Sequence, residues 1–163
     1  LSISVELRKE VGEYFSPVKG LLKQYELMYV VGDEKDLIKL RTNYRNDTVY
    51  LYPMKTSKEK IKEMFLEMIN KVNTLKEKPE FYNTLTSSCT TNLVKHVNTI
   101  SPNRIPFSYK VLAPGYSDEL AYDLGLINTN MTFKETRKYY QINDKAIKFA
   151  NDPNFSFRIR QFD

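Results

Sequence analysis

Leu1, Ile3, Val5 and Leu7 alternate with Ser2, Ser4 and Glu6, the period-two pattern of a half-buried strand. A polar connection follows over Arg8 to Lys19, with Gly12 and Pro17 as breakers, and Tyr25 to Val31 then predicts a second strand. Asp33 is placed to cap a short helix over Glu34 to Leu40. Asp47 to Tyr52 predicts a third strand, stopped by Pro53, which cannot donate to a ladder. From about Ser57 to Lys76 the period changes: Ile61, Met64, Phe65, Met68, Ile69, Val72 and Leu75 recur at helical spacing, a stripe expected to face the core. Thr56 and Glu59 have capping-box spacing.

Beyond Pro79 comes a polar run, Tyr82 to Ser88, and then a second amphipathic helix over about 89 to 99 with Leu93, Val94 and Val97 apolar. Residues 101 to 117 are rich in turn formers yet carry Ile105, Phe107, Val111 and Leu112, so they are expected to pack and not to hang free. Helical pieces are predicted around 117–124, 132–140 and 143–150, the second opened by a capping box of Thr132 and Glu135. With no internal repeat, low-complexity tract or boundary, the expectation is one domain, 1–163. Its class is α+β: a small, mostly antiparallel sheet packed by helices.

Composition changes this picture little. Hydrophobic residues make up 41% of the 163, ample for a core. The net charge of +5 is spread along the chain without the clustered basic face that nucleic-acid binding uses. It is compatible with attraction to an anionic membrane surface or cell-wall polymer. No apolar run approaches the roughly 20 residues of a membrane-spanning helix. The chain begins without a Met and in strand-like sequence, as a piece cut from a longer protein would.

The candidate chemistry is concentrated in one stretch. Cys89 and His96 are the only cysteine and the only histidine. A lone cysteine excludes an internal disulfide framework and a cysteine zinc site. With no glycine-rich phosphate loop or metal-ligand spacing, no cofactor or metal is expected. Thr86, Ser87 and Ser88 are cap formers directly before Cys89, which places the cysteine near the first turn of its helix. A thiol there meets unpaired N–H donors and the positive helix end, both of which favour thiolate, the nucleophile of cysteine acyl transfer. The same pattern also fits a buried cysteine serving as a small hydrophobe. His96 lies seven residues on, about 10 Å along a continuous helix at 1.5 Å per residue, and cannot act as the general base, which must come within about 3 Å of the proton it takes. It is expected to be a partly buried structural histidine. Asn83, Thr90 and Thr91 complete the candidate site as neighbours of the sulfur and of an oxyanion.

Several blocks taken together resemble a known family. They are Ser4-Val5-Glu6-Leu7-Arg8-Lys9-Glu10, Tyr25 to Val31, Leu40-Arg41-Thr42-Asn43, Val49 to Pro53, Glu80 to Thr86, Cys89-Thr90-Thr91-Asn92 and Pro114 to Asp118. Their order and spacing are similar to those of the Lnb N-terminal periplasmic domain family of the bacterial cell envelope. The resemblance implies a permuted relative of NlpC-like and papain-like cysteine enzymes, located in the periplasm or envelope of a Gram-negative bacterium. The family's namesake is implicated in N-acylation of lipoproteins in Bacteroides. It also implies that Cys89 is the catalytic cysteine and that the base comes from a His-Thr-Phe segment upstream of residue 1. Lipid or lipoprotein acyl donors and acceptors are the implied partners. Ser87 and Ser88 depart from the family, which usually carries two asparagines there. Two functions follow as expectations: cysteine-dependent acyl transfer or hydrolysis through a Cys89 thioester, or a non-catalytic envelope module with a buried Cys89. The 105–116 segment would wall an acyl groove in the first reading and simply fill the core in the second.

Overall fold

The computed structural model describes residues 1–162. In chain order the elements are β1 (Ser2–Arg8), α1 (Pro17–Leu21), β2 (Glu26–Gly32), α2 (Glu34–Lys39), α3 (Lys58–Glu77), α4 (Cys89–Ile100), α5 (Tyr109–Leu112), α6 (Ser117–Asp123), α7 (Phe133–Tyr139), α8 (Asn143–Lys148) and α9 (Phe155–Arg158). The class is α+β, with β1 and β2 forming a two-stranded antiparallel sheet. No helix of the described residues is long and apolar enough to cross a membrane. The chain forms two compact units. One comprises Leu1–Ser2, Val31–Lys55 and Gly125–Asp163, the other Ile3–Val30 and Thr56–Leu124.

In the first unit, Ile142, Ala146, Phe155 and Ile159 are fully buried, and Ile38, Val49, Leu51, Phe149 and Phe162 pack against them. Asp33 caps α2, accepting from the Lys35 amide, and a π-helical turn, Leu40–Tyr44, continues that helix. The carboxylate of Glu34 is gripped by both terminal nitrogens of Arg160, a bidentate pair that holds the Glu34 carboxyl below its ordinary range. The predicted capping box of α7 is present, with Thr132 and Glu135 bonding reciprocally.

The third strand predicted over Asp47 to Tyr52 is not one. It forms a single bridge, Tyr50 to Gln141, with Leu51 N–H donating to the Tyr140 carbonyl and Ile142 N–H to that of Val49. A side chain replaces a neighbouring strand: Asn143 Oδ1 accepts from the Val49 amide at 2.9 Å, while its Nδ2 donates to the Asp47 carbonyl. The β-prone residues therefore satisfy their backbone groups on a helix start instead of in a sheet.

In the second unit, Tyr25, Leu27 and Tyr82 form a buried cluster with Val5, Leu7, Tyr29 and Leu75 around it. α3 runs as predicted, but its cap is Ser57, which accepts from the Lys60 amide, and not Thr56. The apolar stripe of α3 is also less buried than its period implies. Met68 is buried, whereas Ile61 is 57% and Phe65 40% exposed, so only the middle of the helix is covered. Of the 101–117 segment, Val111 is buried and Phe107 exposed; α5 forms there, followed by a 3₁₀ turn, Pro114–Tyr116.

Candidate active site

The chain leaves the strand region through Glu80–Tyr82, which lies along β2: Leu27 N–H donates to the Glu80 carbonyl and Tyr82 N–H to that of Tyr25, both at 2.8 Å. A tight loop follows. Asn83 and Ser87 exchange two backbone hydrogen bonds across its neck. Asn83 Oδ1 accepts from the amides of Leu85 and Thr86, each at 3.0 Å, and its Nδ2 donates to the Leu21 carbonyl. The Asn83 side chain thus builds the loop that delivers the cysteine, and its amide nitrogen is committed.

Ser88 is the N-cap of α4, and the cap is a reciprocal box. Thr91 N–H donates to Ser88 Oγ at 3.2 Å, and Ser88 N–H donates to Thr91 Oγ1 at 2.7 Å. Asn92 Nδ2 ties the same corner by donating to Ser87 Oγ and the Ser88 carbonyl. Ser87 and Ser88 are both structural parts of this corner. Lys95 closes it from the outside, its ammonium donating to the Thr86 carbonyl.

Cys89 is the first residue of α4 and is half-buried. Its sulfur lies 4.0 Å from Thr90 Oγ1. The start of an α-helix leaves its first amides without intrahelical acceptors. Here the Thr91 amide is taken by Ser88 Oγ and the Asn92 amide by the Ser88 carbonyl. The amides of Cys89 and Thr90 are the two that the cap does not use. Tyr82, buried beneath this corner, is the residue that sequence reasoning missed. Burial first, and then negative charge at Cys89, pushes its phenol up to about 12, so it stays neutral. Its place at the end of the segment paired with β2 gives no chemical signature, which is why the pattern did not single it out.

His96 is turned away from this corner. It is 3% exposed, with Nε2 2.6 Å from the Tyr29 hydroxyl and Nδ1 3.4 Å from Glu67 Oε1. Burial chiefly, with Lys71 and Lys95 adding to it, lowers its pKa against the opposing pull of Glu67. Burial and the nearby carboxylates raise that of Tyr29. A Tyr–His–Glu chain is the result, locking β2, α3 and α4 together. Its neutral imidazole is fully engaged and serves as a bolt. Two clefts lie elsewhere. One of about 330 Å³ in the second unit is lined by Arg8, Met28, Tyr29, Val72 and Leu75 among others. Another, of about 650 Å³, is lined in the first unit by residues including Lys138, Tyr139, Lys145 and Phe162. Neither includes Cys89 or the 105–116 segment. Among the described residues no group of three His, Cys, Asp or Glu side chains could hold a metal ion.

The model of the Lnb N-terminal periplasmic domain matches residues 1–115, which take in the sheet, the loop and all of α4. The chain belongs to that family. Membership places it in the periplasm. The match stops before α6, so the last four helices lie outside it. No curated protein matches the chain, and no solved structure does.

Proposed function

We propose that this chain carries the cysteine part of a periplasmic acyl-transfer or hydrolysis site of permuted papain-like, NlpC-like type. The observation that carries the reading is Cys89 itself: half-buried rather than sealed, at the first position of a firmly capped helix, beside two uncommitted N–H donors. In this mechanism the Cys89 thiolate attacks the carbonyl carbon of an acyl donor. The amides of Cys89 and Thr90 receive the developing oxyanion. The tetrahedral intermediate collapses to a thioester, expelling the donor's alcohol, which takes its proton from the general acid. An acceptor amine, or water, then attacks the thioester; its proton goes to the base and the thiolate is regenerated. Asn83 and Thr91 hold the loop and cap that aim the sulfur.

The base is not among the groups placed at Cys89, because the only histidine is engaged by Tyr29 and Glu67. The resemblance would supply it from a histidine upstream of residue 1. Intact-mass alkylation of the folded chain with iodoacetamide across pH 5 to 9, followed by thioester trapping with acyl donors in the full-length protein, tests the reading. Alkylation of the native chain persisting below pH 7 is expected. Alkylation only after denaturation would return Cys89 to the non-catalytic reading.

A further inference from the structure

The connection from Arg8 to Lys19 was expected to be polar, yet it and the residues just after it display a cluster of exposed apolar side chains. Val11 is fully exposed, and Tyr14, Phe15 (51%), Val18 (62%) and Leu22 (66%) stand out with it; Leu21 is exposed as well. Six large apolar side chains in twelve residues is far from the scattered exposure normal for a protein surface. They are not the product of a slack loop. The buried Tyr25 hydroxyl donates to the Tyr14 carbonyl at 2.8 Å and accepts from the Ser16 amide at 2.9 Å. Ser16 caps α1, and Gly20 is packed so closely that a Cβ would collide with the Thr84 hydroxyl and crowd the Tyr82 ring. The backbone is pinned inward while the apolar side chains point out.

The charges sort in the same way. Glu10 and Glu13 are each neutralised within the segment, by Arg8 and Lys19. Lys9 and Lys23 are exposed, and among the described residues no carboxylate pairs with either of them. Two exposed lysines flanking an apolar, aromatic-bearing tip in sequence are complementary to one surface that a periplasmic domain meets: the anionic interface of a bilayer, whose headgroups attract the lysines while its acyl boundary receives the tip.

We infer that residues 9–23 form a lipid-docking tip that seats the second unit on an anionic membrane surface. The tip is coupled to the cysteine loop by the Asn83 to Leu21 hydrogen bond and the Thr84 hydroxyl bond to the Pro17 carbonyl. Docking therefore brings the Cys89 corner to the bilayer, where acyl chains are. The tip's lipid affinity holds whether or not Cys89 is catalytic.

The absence of tryptophan from the chain supplies a clean reporter. Phe15→Trp is mixed with phosphatidylcholine vesicles, with and without phosphatidylglycerol, and its emission and cosedimentation are followed. A blue shift and sedimentation with the anionic vesicles are expected, whereas Phe157→Trp, an exposed phenylalanine of the first unit, shows no shift. Val18→Asp should weaken binding about tenfold. Lys9→Gln and Lys23→Gln should each weaken it about fivefold, in a salt-sensitive way. None of the three substitutions touches a buried group, so the melting temperature should hold. No shift at position 15, or equal loss of binding from Phe157→Asp, would overturn the inference. So would self-association without lipid that Val18→Asp abolishes, which would assign the tip to a second copy of the chain.

Discussion

The two ends of α4 carry the only cysteine and the only histidine of the protein, and they are opposite in character. At the N-terminal end, Cys89 is half-buried, ringed by hydroxyls and amides, and its helix start retains two unused donors. Near the C-terminal end, His96 is sealed and both ring nitrogens have partners. The helix spacing that keeps them about 10 Å apart also lets each take a separate job. One end of the helix is stabilised around an accessible atom; the other is stabilised by consuming the reactive group. Spacing already sets the two apart, and their neighbours show how: one sulfur left half-buried, one imidazole with both nitrogens engaged.

The largest effect that would sharpen this contrast is at the cysteine. Cys89→Ser should abolish thioester trapping in the full-length protein, by a factor of at least about a thousand. It should change the unfolding free energy by less than about 0.5 kcal/mol. Unimpaired acyl-enzyme formation in that variant would remove Cys89 from the mechanism. His96→Ala should behave in reverse. It leaves the buried Tyr29 hydroxyl without an acceptor and opens a cavity, at a cost of about 3 kcal/mol in chemical denaturation, while native alkylation of Cys89 keeps its rate. A folded His96→Ala protein whose Cys89 alkylates tenfold more slowly would break the comparison, because the two ends would then be one site.

The pH dependence of stability is a smaller handle on the same bolt. Burial lowers the His96 pKa below the ordinary value, with Lys71 and Lys95 on α3 and α4 acting in the same sense and Glu67 on α3 and the neutral Tyr29 on β2 as its bonded partners. Below the unfolded value near 6.5 the unfolded chain binds a proton that the folded imidazole refuses. The stabilisation is therefore whole above pH 6.5 and declines as the pH falls toward the folded value, by at most about 1.4 kcal/mol per pH unit. Because the chain has one histidine, the slope between pH 6.5 and 5 belongs chiefly to it, and His96→Gln should flatten that part of a urea-denaturation series.

Much of α4 was legible because its signals are local. Ser88 before Cys89, and an apolar period after it, fix the start of the helix without reference to anything else. The same holds for Asp33 before α2 and for the Thr132–Glu135 box. What was not legible depended on distant partners. Nothing near Asp47 to Tyr52 indicates that Asn143 would supply its hydrogen bonds, and nothing near His96 points to Tyr29, 67 residues earlier. The α3 stripe was misread for a related reason: periodicity shows which side chains share a face, but not how far a neighbour extends over it, and Ile61 and Phe65 lie past that cover. The Arg8 to Lys19 connection reads as polar because its breakers and charges dominate the pattern, while the outward exposure of Val11, Phe15 and Val18 depends on Tyr25 and Thr84, which hold the backbone from elsewhere in the chain.

The smallest effect asks whether the cysteine end is held by its own residues, as the histidine end is held by its neighbours. Ser88→Ala removes the acceptor of the Thr91 amide and should cost about 1 kcal/mol. Thr91 Oγ1 still accepts from the residue 88 amide, so Thr91→Val should cost a similar amount alone, and the double variant less than the sum, since either change disables the reciprocal box. At the other end Ser101 is extended, and the last carbonyl, that of Ile100, is taken by the Lys60 ammonium of α3. A cap substitution at residue 101 should therefore move stability by less than about 0.5 kcal/mol, while Lys60→Met should be felt there. Equal costs at the two ends would mean that the box at Ser88 is no more than an ordinary helix start, and that the accessible sulfur beside it owes nothing to a specially rigid corner.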